Sequence, residues 1–139
     1  MLSILATTSV VIAGPPTSKT LRTTVHWTQA NNGNGATVSA FSPQTFKVKL
    51  GTEVTFVVSN RDQVADDSTH TPSAHPIQLI APDGTVIGEA HTHPGETESI
   101  PFVADQEGDY IFKCDNRDCE VHRYMTTHFG TNGVITVTA

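Results

Sequence analysis

The sequence is poor in cysteine, methionine and tryptophan, and it lacks both an excess of positive charge and a long apolar run. Its 139 residues include two Cys, two Met and one Trp. The chain has eight basic and fourteen acidic residues, which gives a net charge of −6. This charge argues against a nucleic-acid partner and against binding to anionic membrane surfaces. The length is that of one domain with a substantial core.

Long stretches of helical periodicity and internal repeats are also missing, and short strands take their place. Segments rich in Thr and Val are separated by turn signals such as residues 82–84, Pro-Asp-Gly. Residues 91–95, His-Thr-His-Pro-Gly, are also interpreted as a turn. This pattern predicts an all-β fold, an antiparallel Greek-key sandwich or barrel. The predicted strands are 21–28, 45–50, 54–59, 75–80, 85–88, 97–103, 110–113 and 134–137.

The two cysteines lie in one short segment together with a histidine and a methionine. Residues 114–125 read Cys-Asp-Asn-Arg-Asp-Cys-Glu-Val-His-Arg-Tyr-Met. The segment is predicted to be a loop between two strands, where a rigid scaffold presents functional groups. Thiolate, imidazole and thioether are the ligands that soft and borderline metals select, copper above all. Cys114, Cys119, His122 and Met125 are therefore predicted metal ligands.

A disulfide between Cys114 and Cys119 is the main alternative for this segment. The loop that it would close is short, so its entropic contribution would be modest. It would also leave His122 and Met125 without a thiolate beside them. For those two residues the alternatives are an exposed loop histidine and a core methionine that fills a gap.

Counting turns along the chain places most histidines at the end of the sandwich that carries this loop. His75 is the preferred distant imidazole ligand, because it opens a strand there and would close the site across the sandwich. His70 competes with it. His91 and His93 either take part in metal binding or are solvated turn residues, and His128 is a candidate accessory ligand.

The first residues of the chain form a separate feature. Residues 1–14 are apolar or small, and two prolines follow them. The run is too short to span a bilayer, and it lacks the basic start of a usual signal peptide. Residues 1–16 are interpreted as a signal peptide or an N-terminal extension, with a first strand or the stump of a longer leader as alternatives. Residues 17–139 are then the folded domain, and a periplasmic or otherwise exported location follows from the signal interpretation.

Residues 20–139 resemble the cupredoxin family. The resemblance rests on residues 46–56, Phe-Lys-Val-Lys-Leu-Gly-Thr-Glu-Val-Thr-Phe, and on a histidine that opens a strand at residues 75–79, His-Pro-Ile-Gln-Leu. It also rests on residues 108–114, Gly-Asp-Tyr-Ile-Phe-Lys-Cys, which lead into the metal loop. The chain looks most like the CuA domains of cytochrome oxidase subunit II and nitrous-oxide reductase. Residues 60–70 are similar to the nitrous-oxide reductase segment before its first histidine ligand, which is the argument for His70.

The loop departs from the CuA pattern by the position of one residue. CuA loops have three residues between the cysteines and three between the second cysteine and the histidine, whereas this chain has four and two. The spacing of Cys119, His122 and Met125 is instead similar to that of a short mononuclear blue-copper loop. The resemblance therefore implies copper, and it leaves open whether one or two ions are bound.

The resemblance implies a copper-binding electron-transfer protein that cycles between Cu(I) and Cu(II) and meets a redox partner transiently. The alternative is a periplasmic protein of copper tolerance, storage or delivery with a copper-accepting partner, which the surplus of histidines favours. A copper oxidase or reductase has less support, because no further ligand motif of multicopper oxidases is visible. We expect no membrane insertion of the folded domain. Zinc suits the same donor groups.

Overall fold

The computed structural model describes residues 14–29, 37–62, 74–114 and 132–139, and within these ranges every regular element is a β-strand. None of the described segments forms a helix long and apolar enough to cross a membrane. The prediction of an all-β fold is confirmed. The strands are β1 Ser18–Gln29, β2 Thr37–Ser42, β3 Thr45–Lys49, β4 Glu53–Asn60, β5 His75–Ile80, β6 Val86–Thr92, β7 Thr97–Val103, β8 Gly108–Cys114 and β9 Gly133–Thr138.

The strands form two sheets that enclose one core. One sheet has the order β2-β1-β4-β7, and the other has the order β3-β9-β8-β5-β6. The sheets are mixed rather than wholly antiparallel, because β1 runs parallel to β4 and β3 runs parallel to β9. Each parallel pair joins strands that are far apart in the sequence, and such pairs need a long connection. Hairpin turns, which the sequence pattern reveals, report only on antiparallel neighbours.

The core is built from the inward-facing residues of both sheets, with Phe112 of β8 among aromatic neighbours. The ring centroid of Phe112 lies 4.7 Å from that of Phe56 and 5.0 Å from that of Phe41. The Phe112 ring also covers Gly133, its cross-strand partner, so closely that a Cβ there would fall 1.9 Å from a ring carbon. Phe112 and Cys114 are consecutive inward-facing residues of β8. The packing of Phe112 therefore helps to hold the end of the strand that carries Cys114.

Two local predictions are corrected. β6 continues through His91 to Thr92, and the turn that follows begins only at His93. His91 pairs with Pro76 of β5, and this tertiary pairing outweighs the local turn signal. The sequence pattern also predicts no strand at Thr37–Ser42, which pairs with β1 as β2 at the edge of its sheet. The prediction that residues 1–16 are a signal peptide or extension falls mostly on residues 1–13, which lie outside the described residues.

Candidate metal centre

The site begins with two residues at the adjoining ends of neighbouring strands. His75 is the first residue of β5, and Cys114 is the last residue of β8. The two strands are antiparallel neighbours, and Cys114 is paired with Ile77. Side chains alternate along a strand, so His75, Ile77 and Cys114 all face the interior. His75 and Cys114 are therefore diagonal neighbours on one face, a separation that long side chains can bridge.

The two side chains are in contact, and both are buried. The Nδ1 atom of His75 lies 3.8 Å from the Sγ atom of Cys114. His75 is 0% exposed and Cys114 is 6% exposed. The prediction that these residues lie at the same end of the sandwich is confirmed, while their role as metal ligands stays a prediction.

A carboxylate holds the other nitrogen of the His75 ring. The Nε2 atom of His75 lies 2.6 Å from Oδ2 of Asp62, and the Asp62 side chain is 8% exposed. An ionised carboxylate only accepts hydrogen bonds, so beside an ionised Asp62 the Nε2–H group of His75 is the donor. When the ring is neutral, Nδ1 then has an unprotonated lone pair that faces the sulfur.

Asp62 and His75 are part of a closed ring of hydrogen bonds among four residues. The backbone N–H of Asp62 donates to Oδ1 of Asn60 at 2.9 Å. The Nδ2 group of Asn60 donates to the backbone carbonyl of Thr92 at 2.9 Å. The Thr92 hydroxyl donates to the backbone carbonyl of His75 at 3.4 Å. The ring links the ends of β4, β5 and β6, so both the backbone and the imidazole of His75 are held.

The separation of sulfur and nitrogen suits a bound metal ion. Metal–sulfur and metal–nitrogen bonds of about 2.3 and 2.0 Å, at tetrahedral to trigonal angles, would place the two ligand atoms about 3.5–3.7 Å apart. The observed distance of 3.8 Å is close to this range. A thiolate with a neutral imidazole is also a donor set that copper favours. The described residues therefore fit the metal that the sequence implies.

Cys114 and His75 need further ligands to complete a metal site. Within the ranges that the structure describes, no three His, Cys, Asp or Glu side chains are arranged to hold an ion. Asp62 binds the far nitrogen of the imidazole and is therefore a partner of His75 rather than a third ligand. Five of the predicted ligands lie outside the described residues, and their role stays a prediction: Cys119, His122 and Met125, with His70 and His128 of the lower-ranked group.

His91 and His93 lie at the same end of the fold but on its surface. Both are exposed, and their ring centroids are 5.1 Å apart. The backbone N–H of His91 donates to Glu98, and that of His93 donates to Glu96, each at 2.9 Å. Thr92 between them points inward to the hydrogen-bonded ring. The pair therefore flanks the buried site and presents its imidazoles to solvent.

No pattern in the sequence assigns a role to Asp62 or Asn60. Both stand in or next to a long polar stretch, and nothing in their spacing from His75 marks them as its neighbours. β4 carries polar residues along its length, so Asn60 at its end does not stand out in the sequence, although it is only 1% exposed. A buried polar side chain requires hydrogen-bond partners, and the partners became visible only in three dimensions.

Comparison with known proteins identifies solved structures that share this fold. No protein-family model matches the chain. Auracyanin from the photosynthetic bacterium Roseiflexus castenholzii is 20% identical, with a TM-score of 0.54, over 88% of this chain and 99% of that one. Copper nitrite reductase from Nitrosomonas europaea is 22% identical, with a TM-score of 0.51, over 86% of this chain and 41% of that one.

A third solved structure is similar over a comparable length. It is the metal-binding domain of the Cu(I)-exporting P-type ATPase CopA of Streptococcus pneumoniae D39, solved with Cu(I). It is 14% identical, with a TM-score of 0.51, over 91% of this chain and 92% of that domain. At such identities the likeness concerns the fold. Together with the two observed sheets, it shows that the chain has a cupredoxin-like β-sandwich fold.

Proposed function

We propose that the chain is a copper-binding electron-transfer protein with Cys114 and His75 among its ligands. The observation that carries this proposal is the contact of Cys114 Sγ with His75 Nδ1, at 3.8 Å, at one end of the sandwich. The fold shared with auracyanin supports it. His122 and Met125 are proposed as further ligands, and Cys119 joins them if the site holds two ions, as in a CuA-like centre.

Bound copper would supply one-electron chemistry by cycling between Cu(I) and Cu(II). The chain's own contribution is a site that changes little when the electron moves. Cys114 and His75 sit on paired strands, and both are buried. The hydrogen bonds of His75 to Asp62 and Thr92 restrain its ring and backbone. Cys114 acts as a thiolate, because only the deprotonated sulfur is a metal ligand.

The proposed partner is a redox protein that docks at the end of the sandwich carrying the site. Redox encounters bury little surface and are short-lived, so no large apolar interface is required. We further propose that the protein is exported, on the basis of the apolar residues 1–14. It is proposed to be a carrier rather than an enzyme, and turnover of oxygen or nitrite by the copper-loaded protein would contradict this.

Copper loading of the reduced apoprotein tests the proposal. Bound copper is counted while optical and electron paramagnetic resonance spectra are recorded, and the redox cycle is followed electrochemically. We expect an intense thiolate-to-copper absorption that disappears in Cys114→Ser and a reversible one-electron couple. Two ions that share one unpaired electron would indicate a CuA-like centre, and one ion a mononuclear centre. Colourless Cu(II) would mean that no thiolate is bound and would refute the electron-transfer proposal.

Cys119→Ser serves as the matched variant in this experiment. It removes the other cysteine and leaves the buried Cys114 in place. For a mononuclear site built on Cys114, its absorption should resemble that of the wild-type protein. For a dinuclear site, the shared-electron signal should be lost.

A second candidate function is copper storage or delivery, which the exposed pair His91 and His93 favours. Two solvent-facing imidazoles with centroids 5.1 Å apart suit an accessible and exchangeable site. In that case His91→Ala with His93→Ala should lower the number of bound ions and slow copper transfer to a chelator. For an electron carrier, the same double variant should retain the stoichiometry and the thiolate absorption.

A further inference from the structure

We propose that Asp62 is a positioning residue that orients His75 and selects the ring tautomer needed for metal binding. The inference rests on the proposed copper site, which it deepens. Asp62 follows β4, whereas its partner His75 opens β5 in the other sheet. The contact between them therefore joins the two sheets next to the proposed ligands.

Hydrogen bonds of the surrounding backbone and of the Asn60 side chain hold the segment that carries the Asp62 carboxylate. The Asn60 side chain accepts from the Asp62 backbone N–H and donates to the Thr92 carbonyl. The Asn60 backbone is also held, since its N–H donates to Glu96 and its carbonyl accepts from Gly95. The Arg61 N–H donates to the Val25 carbonyl at 2.9 Å. The segment that carries Asp62 is thus attached to β1 and to the turn after β6.

The carboxylate controls which nitrogen of His75 can bind a metal. It accepts the Nε2 proton at 2.6 Å, which leaves Nδ1 as the ligand atom on the side of Cys114. A carboxylate behind an imidazole fixes the ring orientation and strengthens it as a ligand, and loss of such a partner commonly weakens metal binding about 10- to 100-fold. It also adds negative charge, which favours Cu(II) over Cu(I).

A merely structural role is the competing explanation, in which Asp62 only helps to join the sheets. Such a role would show in folding stability alone. A positioning role also changes the tautomer of His75, the copper affinity and the reduction potential. The tautomer of His75, the copper affinity and the reduction potential must therefore be measured separately from folding stability.

Two substitutions at Asp62 separate hydrogen bonding from charge. Asp62→Asn keeps an oxygen that accepts from Nε2 but removes the negative charge, and Asp62→Ala removes both. Glu98→Gln is the matched control, because Glu98 is an exposed carboxylate at the same end that accepts from the His91 backbone and leaves His75 untouched. Copper affinity is measured by competition with a chelator, and the reduction potential by voltammetry on each loaded protein.

We expect Asp62→Ala to bind Cu(II) about 10- to 100-fold more weakly than the wild-type protein. Asp62→Asn should lie between them in affinity, and both variants should have a higher reduction potential. Glu98→Gln should match the wild-type protein in affinity. Equal affinities and potentials in Asp62→Ala and Glu98→Gln would overturn the positioning role while leaving the copper site itself intact.

Nuclear magnetic resonance of the metal-free protein provides a test that needs no copper. The imidazole signals of His75, assigned by their absence in His75→Gln, should show the Nε2–H tautomer in the wild-type protein and in Asp62→Asn. Asp62→Ala should shift part of the population to the Nδ1–H tautomer. A wild-type Nδ1–H tautomer would refute the inference. Failure of the wild-type protein to bind copper would instead refute the proposed function.

Discussion

Four polar side chains inside the sandwich, those of Asn60, His75, Thr92 and Tyr110, are at most 1% exposed. Each makes hydrogen bonds to other parts of the chain. A buried polar group that loses its partner costs about 1–3 kcal/mol of stability. Three of these four side chains belong to the hydrogen-bonded ring that includes His75, at the proposed functional end.

Tyr110 is the exception, and it leads to a prediction about alkaline stability. Its hydroxyl donates to Oδ1 of Asp105 and accepts from the Gln106 N–H, each at 3.1 Å. Burial raises the pKa of Tyr110 above its ordinary value of 10.0, and the carboxylate of Asp105 adds to this effect. The folded protein therefore retains the phenol proton at a pH where the unfolded chain has lost it. The free energy of unfolding should fall as the pH rises above about 10.

Tyr110→Phe provides the comparison for this prediction. Urea unfolding at a series of pH values should show a flatter decline above about pH 10 for the variant, because it has no phenol to ionise. At neutral pH the variant should be less stable by about 1 kcal/mol, since it loses the hydroxyl bonds. Parallel declines for the two proteins at high pH would contradict the raised pKa.

At the scale of elements, the proposed site is a product of where strands begin and end. β5 begins with a ligand candidate, β8 ends with one, and β4 ends just before Asp62. The residues at these ends are themselves paired: His75 with Thr92, Cys114 with Ile77, and Asn60 with Val25. A site at such ends has side chains that are held by a frame of paired strands.

The close packing of Phe112 in β8 over Gly133 in β9 leads to a prediction about folding stability. Gly133→Ala should destabilise the protein by about 1–3 kcal/mol, because the added methyl group would overlap the Phe112 ring. The ring is packed against Phe41 and Phe56 and has little room to move away. Urea unfolding followed by circular dichroism measures the change.

Gly14→Ala is the matched control for that substitution. Its added Cβ would meet no atom within 4 Å, so its stability should stay within about 0.5 kcal/mol of the wild-type value. Equal stability of the two alanine variants would show that the Phe112 ring can move aside, and it would contradict the predicted overlap. Because Phe112 precedes Cys114 closely, Gly133→Ala in a copper-loaded sample should also alter the thiolate absorption.

At the scale of the whole molecule, the proposed ligands come together only when the sandwich is folded. His75 and Cys114 belong to different strands and are 39 positions apart in the chain. Copper should therefore bind the folded state in preference to the unfolded chain. At a free copper concentration of one hundred times the dissociation constant, the free energy of unfolding should rise by about 2.7 kcal/mol.

Thermal unfolding with and without copper measures this coupling. Cys114→Ser should remove most of the copper-dependent increase in melting temperature. An equal increase in this variant would mean that copper stabilises the protein through other groups, such as the exposed histidines. Preferential binding to the unfolded chain would appear as a lower melting temperature, and it would contradict a preformed site.

Local sequence patterns are sufficient to predict the fold class and the end of the sandwich that carries the candidate site. Segments delimited by turn signals predicted β5 at residues 75–80 and β7 at residues 97–103 with the bounds that the structure has. Turn counting placed His75 at the same end as Cys114, because in a series of antiparallel strands the number of turns determines the end of the sandwich at which a residue lies. These results depend on local patterns, which a sequence displays directly.

Local patterns do not reveal the parallel pairs, the extension of β6 to Thr92 or the partners of His75, which depend on the three-dimensional fold. Asp62 and His75 are 13 positions apart and Asn60 and Thr92 are 32 positions apart, with no periodic pattern that connects them. Their contacts arise because the ends of β4, β5 and β6 converge and because buried polar groups must pair with one another. Such pairing depends on distances in space, and no local feature of the chain encodes those distances.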